Sequence, residues 1–318
     1  MSTLNERAWQ LCDAMVADAE QLGIRVATLG CGTRIVDCGV AAAGSIEAGR
    51  RLAEVCLSGL GDVHVVRSDD EAPTEFEVRV ATEEPVAACM ASQYAGWEVQ
   101  GEKFFAMGSG PMRAAAGRED LFNDIGHRER PDCSVGILEG GKLPPENVCF
   151  DIAAKCGVAP DRLMLLVART ASPAGTVQIV ARSVETALHK LHVLGFNLKR
   201  IVRGSGTAPL PPIAENDLKA IGWTNDAILY GANVTLAVGG GLDDLATMGP
   251  RVPSCASKDF GRPFSEIFAQ YDHDFYRIDP QLFSPAIVAF VDADDPSAEP
   301  LRFGSAAPAV LTESFAAI

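Results

Sequence analysis

The sequence predicts a two-domain protein of mixed α/β or α+β class, and three observations carry that reading. The chain has 318 residues, more than one hydrophobic core usually serves. Strand-like and helix-like patterns alternate along its whole length, without the strict strand–helix–strand order of a doubly wound sheet. A strongly apolar segment, residues 162–168, reads as a buried strand and runs through Thr170 directly into a long helical pattern at 172–194.

That helical pattern organises the rest. Ser172 is a cap-forming residue and Pro173 stands at the first helical position, where a missing N–H costs nothing. Val177, Val180, Val184, Leu188 and Leu191 recur at spacings of three and four and form one apolar stripe. Gln178, Arg182, Glu185 and His189 recur at the same spacings on the other side. At about 100° per residue they share a narrow arc, flanked by Ile179, Val193 and Ala181. Arg182 and Glu185 stand three apart and can touch. Spacing alone allows two readings: a surface ion pair, which is the commoner case, or a carboxylate oriented by a guanidinium in the wall of a pocket.

Composition narrows the function classes. The formal net charge is −15, which argues against a general nucleic-acid binder. Hydrophobic residues make up 47%, yet no run of about 18 apolar residues marks a membrane span. Glu6 and Arg7 stand where a secretory signal would carry its basic and apolar segments, so a cytoplasmic location is expected. The nine cysteines include no CxxC pair and do not cluster with the five histidines. They read as buried, reduced thiols, with no structural metal expected.

Taken in order, Thr3 and Glu6 form a capping box before a helix that ends near Gly23. Residues 26–29 and 34–37 read as a hairpin, 45–57 as a helix with a Ser45 cap, and 63–67 and 75–81 as strands. Residues 85–93 read as a short helix. A strand near 104–107 then meets Gly108, Ser109 and Gly110, with Pro111 opening a helix; this turn could receive an anion or simply be tight. Residues 133–138 form a strand and 144–156 a helix stopped by Gly157. Beyond the central helix, 201–202 is a strand, 204–209 a glycine-rich turn, 214–221 a helix and 224–231 the start of another. Strands at 234–238 and 286–292 and a helix at 264–270 follow, and 294–300 is a loop. No dinucleotide fingerprint, phosphate loop, nucleophile elbow, zincin or calcium-loop signature occurs.

Several segments together resemble the methenyltetrahydromethanopterin cyclohydrolase family. They are VDCGV (36–40), EAGRRLAEVCLSGLG (47–61), QYAGW (93–97), KFFAMGSGPMRA (103–114), VQIVARSVETALHKL (177–191), GSGTAPLPP (204–212) and TNDAILYG (224–231). The resemblance runs from about residue 5 to 315. It implies one cyclohydrolase unit over residues 1–318, with two α/β sub-domains whose boundary can be discontinuous, a substrate cleft between them, and no Rossmann dinucleotide fold. It implies interconversion of 5,10-methenyltetrahydromethanopterin and 5-formyltetrahydromethanopterin by water addition, in the one-carbon metabolism of methanogenic archaea and methylotrophic bacteria. It further implies a homotrimer and no metal, flavin or nicotinamide; the pterin, or its dephosphorylated form, is the only small-molecule partner, with no nucleic acid and no membrane.

Glu185 matches the family's catalytic glutamate and Arg182 the arginine beside it. The resemblance therefore implies that Glu185 holds and deprotonates the attacking water while Arg182 orients it. Gln178, Tyr94, Trp97, Lys103, Ser109, Thr170, Ser172 and His189 are candidate substrate contacts. Tyr94 and Trp97 could equally be core aromatics, His189 a structural residue and Lys103 a solvated one. Arg169 stands where the archaeal pattern has proline, and Ala232-Asn233 interrupts a more glycine-rich run. The alternatives are a methenyltetrahydrofolate cyclohydrolase, whose usual dinucleotide fingerprint is missing here, and a pterin-binding protein without turnover.

Overall fold

The computed structural model describes residues 2–70 and 72–316. The chain divides into two compact units, Met1–Gly61 with Ala87–Ile179 and Asp62–Val86 with Val180–Ile318. Each unit holds one mixed six-stranded sheet. The class is mixed α/β, as the alternation of patterns predicts.

In the first unit the sheet order is β1 (Arg25–Thr28), β2 (Arg34–Asp37), β8 (Leu163–Ala168), β7 (Ser134–Glu139), β6 (Phe104–Ser109) and β5 (Trp97–Gly101). β8 runs parallel to both β2 and β7, whereas β1, β6 and β5 join antiparallel. A central parallel strand is covered on both faces and needs a continuous apolar run. Leu-Met-Leu-Leu-Val-Ala supplies it, and all six residues are buried. The period-two alternation of a strand then sorts them. Met164, Leu166 and Ala168 enter one core with Ala8, Cys12, Leu52 and Ala174, while Leu163, Leu165 and Val167 enter the other with Met112, Val148 and Ile152. The helices of this unit are α1 (Leu4–Ala17), α2 (Ala19–Leu22), α3 (Ile46–Cys56), α4 (Met112–Ala116), α5 (Leu121–Ile125), α6 (Glu146–Cys156) and α7 (Pro173–Val180). The Thr3–Glu6 capping box forms in both directions, at 3.1 and 2.9 Å. Residues 85–93 coil as a π-helix, Val86–Gln93.

The second sheet has the order β12 (Leu301–Gly304), β11 (Ile287–Asp292), β10 (Asn233–Val238), β9 (Ile201–Pro209), β4 (Phe76–Thr82) and β3 (Gly61–Arg67). β10 and β11 are parallel, and β9 is antiparallel to both β10 and β4. Its helices are α8 (Ser183–Val193), α9 (Asp217–Asp226), α10 (Asp243–Met248), α11 (Phe264–Gln270) and α12 (Pro308–Ala316).

Four expectations are corrected. The helix at 172–194 is two helices, α7 and α8, interrupted at Ala181-Arg182. All five residues of the apolar stripe are fully buried across the interruption, so side-chain periodicity carries no sign of a lost backbone bond. The glycine-rich segment 204–209 is the body of strand β9, not a turn. Its glycines serve close approach rather than reversal. A Cβ at Gly204 would lie 2.8 Å from Val184 Cγ1, and one at Gly206 would lie 2.5 Å from Ser183 Oγ. Thr224 starts no helix: α9 begins at the Asn216 cap, Thr224 lies inside it with its hydroxyl on the Ala220 carbonyl, and residues 227–231 continue as a π-turn. Finally, β12 and α12 follow the 294–300 loop where the sequence reading assigned no element.

Asp226, the last residue of α9, is fully buried and joins three helices. One oxygen accepts from the Phe264 N–H at 2.8 Å and the other from Ser314 Oγ at 2.6 Å. Burial, with Glu266 adding to it, outweighs these two bonds and pushes the carboxyl up to about 7.

Two predictions follow from this packing. Gly204→Ala should cost about 1–3 kcal/mol in urea unfolding through overpacking, and adding Val184→Ala should return part of that loss as a favourable coupling in a double-mutant cycle. For Asp226, the folded chain keeps a proton that the unfolded chain has released above its ordinary 3.8. Its contribution to stability therefore declines as pH rises from about 4 to about 7 and is flat above that. The difference in stability between wild type and Asp226→Asn, followed by thermal melts across that range, should grow with pH in favour of the variant.

Candidate active site

The interruption between α7 and α8 creates a helix start inside what the sequence presents as one helix. Arg182 occupies the cap position of α8, and Glu185 is the third helical residue. The first N–H groups of a helix lack intrahelical partners, and the helix dipole makes this end electropositive. An ionised carboxylate is favoured there by about 0.3–1 kcal/mol. The Arg182 carbonyl anchors the new turn, accepting from the Thr186 N–H at 2.9 Å and from its hydroxyl at 2.8 Å.

Burial removes one of the two readings of the pair, the exposed surface one. Arg182 is 8% exposed and Glu185 6% exposed, so neither is a solvated surface charge. The Gln178 side chain is buried as well, and its carbonyl lies 3.8 Å from Cys56 Sγ. His189, farther along α8, is half-buried. The far end of α8 holds a charge the sequence reading passed over: the Lys190 ammonium is buried and donates to the Gln281 carbonyl at 2.6 Å. Desolvation pushes it down to about 8.

The turn that leads into α7 is built from side-chain bonds. Ser172 Oγ caps α7, accepting from the Gly175 N–H at 3.0 Å while donating to the Arg169 carbonyl at 2.8 Å. Thr170 Oγ1 donates to the Glu139 carboxylate at 2.8 Å, at the C-terminal ends of β8 and β7. Both hydroxyls thus hold the turn between strand and helix. The neighbouring loop is shaped by Asp37, whose two oxygens accept from four successive backbone N–H groups, Gly39 to Ala42, at 2.7–3.0 Å. That loop passes directly under the cap, since a Cβ at Gly39 would stand 2.3 Å from Ser172 Oγ.

The remaining candidates are spread over the first unit. Ser109 is buried at the end of β6, and the helix after the GSGP segment has only five residues. Tyr94 is half-buried, with the Arg113 guanidinium 4.8 Å from its ring centre. Trp97 belongs to the core beside Val99 and Phe104, with the Lys155 ammonium 5.8 Å from its ring. Lys103 is exposed in the β5–β6 connection, where its carbonyl accepts from Lys142. Sequence reasoning missed Arg113, Glu119, Glu139 and Lys190. A lone charged residue within an apolar pattern signals burial only when its partner is known, and each partner lies elsewhere in the chain or is a backbone carbonyl.

A family model described as Cyclohydrolase (MCH) matches residues 3–315. A methenyltetrahydromethanopterin cyclohydrolase of Xanthobacter autotrophicus is 47% identical over 305 residues, covering 96% of this chain and 90% of its own. That of Methylobacterium organophilum is 43% identical over 318 residues, covering 99% and 98%. The protein of the same name from Methanosarcina barkeri is 39% identical over 318 residues, again covering 99% and 98%.

The Ser172 cap gives a direct check on the turn. Ser172→Ala should lower stability by about 1 kcal/mol, the usual worth of a cap hydroxyl, read as a shift of the urea midpoint at constant slope.

Proposed function

The chain belongs to the methenyltetrahydromethanopterin cyclohydrolase family, and on that premise we propose that it hydrates 5,10-methenyltetrahydromethanopterin to the 5-formyl compound, with Glu185 as the base. The observation that carries this reading is the burial of Glu185 in the first turn of α8 beside a buried Arg182. Two charged side chains withdrawn from water are costly unless they meet each other or a charged ligand.

The chemistry suits that pair. The methenyl carbon lies between two nitrogens and carries positive charge, so it is electrophilic without activation. Water oxygen bonds to this carbon, and one water proton passes to Glu185. The hydroxyl intermediate then loses its own proton to become the formyl C=O. The bond to N10 breaks, N10 takes up one proton, and one proton leaves to solvent. A carboxylate serves twice, attracting the cation and accepting the proton. Arg182 keeps the carboxylate ionised and aimed. Carbon stays at one oxidation level throughout, which supports a reaction without flavin or nicotinamide, and its existing charge leaves a metal nothing to add.

His189, four residues beyond Glu185 on α8, extends the proposed substrate wall. The cytoplasm and a homotrimer complete the reading. They rest on the family resemblance, and the trimer is open to sedimentation equilibrium. Among the described residues no helix is long and apolar enough to cross a membrane.

The test follows the near-ultraviolet absorbance of the methenyl compound. Wild-type protein should bleach it rapidly. Glu185→Gln should lower kcat at least about 100-fold, the ordinary worth of a general base, with an unchanged melting temperature or a raised one. Undiminished bleaching by the variant would remove Glu185 from the chemistry. Preference for methenyltetrahydrofolate, or tight binding with no turnover, would replace the reaction itself.

A further inference from the structure

Seven of the nine cysteines are buried. Cys31 is one of the two that are not, and it stands half-buried at the tip of the β1–β2 hairpin, between Gly30 and Gly32. Both glycines lay that tip on other elements. A Cβ at Gly30 would stand 2.6 Å from Glu146 Oε1, in the first turn of α6. One at Gly32 would stand 2.8 Å from the Asp161 Cβ, and the Gly32 φ of 91° lies in the left-handed region that favours glycine. Cys149 follows Glu146 by three residues, so both lie on one face of α6. The hairpin tip thus rests on the face that carries Cys149, and Cys31 packs against the core cluster that contains Cys149. All of these residues belong to the first unit.

The two thiols converge on one hydroxyl. Cys31 Sγ donates to Thr33 Oγ1 at 3.5 Å. Thr33, fully buried, gives its own hydroxyl proton to the Pro160 carbonyl at 2.8 Å. Cys149 is hydrogen-bonded to the same hydroxyl, so both thiols act as donors to it. Burial pushes the Cys149 thiol up to about 12, with Cys31 adding to the rise. Cys149 is therefore a shielded, protonated thiol, and Cys31 is the member of the pair that solvent reaches. Neither takes part in the pterin reaction.

We propose that Cys31 is a site of peroxide modification and that Cys149 is its resolving partner. In the first step the Cys31 sulfur takes one oxygen from hydrogen peroxide. The O–O bond breaks, Cys31 becomes a sulfenic acid and water leaves. In the second step the Cys149 sulfur attacks the Cys31 sulfur. The S–OH bond breaks, and the hydroxyl leaves as water with the Cys149 proton. Two thiols and one peroxide thus give one disulfide and two waters, and a thiol reductant reverses the change. An accessible thiol beside a resolving one is the arrangement that peroxide-sensing cysteines use. The bridge ties the hairpin tip to α6.

The experiment is peptide mapping of the whole protein by mass spectrometry. Reduced protein is treated with hydrogen peroxide at a dose that oxidises the exposed Cys255, blocked with a thiol reagent and digested without reduction. Wild type should yield a peptide pair joined through Cys31 and Cys149, lighter by two hydrogens than its separate parts and lost on reduction. Cys149→Ala should lose the bridge and hold Cys31 as a sulfenic acid that dimedone traps. Cys31→Ser should lose the bridge and leave Cys255 oxidised as in wild type. This second variant alters only a half-buried hairpin tip, so it reports even where Cys149→Ala does not fold. Cys31 recovered as a free thiol, as a sulfinic acid or bridged to another cysteine, while Cys255 is oxidised, overturns the proposal.

Discussion

The constraint on which the structure depends is the close approach of backbone to the helix pair α7 and α8. In the first unit, Gly39 lies under the Ser172 cap, and Gly49 of α3 lies against α7, where a Cβ would meet Ala174 Cα at 2.9 Å and Val177 Cβ at 2.7 Å. In the second unit, Gly204 and Gly206 of β9 lie under the first turn of α8. These four glycines come from three segments far apart in the chain, VDCGV, EAGRR and GSGTAP. Each segment is the imprint of the helix pair on its surroundings. A methyl group at any of these positions would push the helix away by a distance that interiors packed like crystals do not absorb freely.

That packing explains how an interrupted helix is held. The backbone loses continuity at Ala181-Arg182, yet the stripe from Val177 to Leu191 stays fully buried on both sides. Side-chain burial, not hydrogen bonding along one rod, keeps each half in place. The gain is a helix start at Arg182, three residues before the Glu185 carboxylate. An uninterrupted helix would place Glu185 mid-rod, where the local dipole term falls away.

Much of the fold was legible because its signals are local. The capping box at Thr3, the Ser45 cap, the all-apolar β8 and the Gly157 stop each depend on a few adjacent residues, and each stands where the pattern puts it. What was illegible depends on partners distant in sequence. Gly204 and Gly206 read as a turn because glycine serves both reversal and close packing, and only the position of Ser183 and Val184 distinguishes the two. Residues 224–231 read as the start of a helix, but Thr224 lies within α9 with its hydroxyl on the Ala220 carbonyl. The 3.6-residue period brought out Gln178, Arg182 and Glu185, and each of the three is buried. The Ser172 cap was legible at the helix start, whereas the bond from the Thr170 hydroxyl to Glu139 was not, because its partner lies 31 residues away. Arg113 escaped notice because nothing in Pro-Met-Arg-Ala tells a buried arginine from a solvated one.

Buried charge ties these features to the chemistry. The protein keeps Arg113, Arg182, Glu185, Lys190 and Asp226 at under a tenth of their free exposure, each at a desolvation cost that hydrophobic residues of like size would avoid. Three of them have structural partners that account for the cost: Arg113 its carboxylate, carbonyls and rings, Lys190 the Gln281 carbonyl, and Asp226 a backbone N–H and a serine. Arg182 and Glu185 stand at the break between α7 and α8, and they too have partners. In the proposed reaction the substrate is a cationic amidine and its hydration product is neutral. With Glu185 as the proposed base, attraction to the carboxylate falls as the neutral formyl product forms.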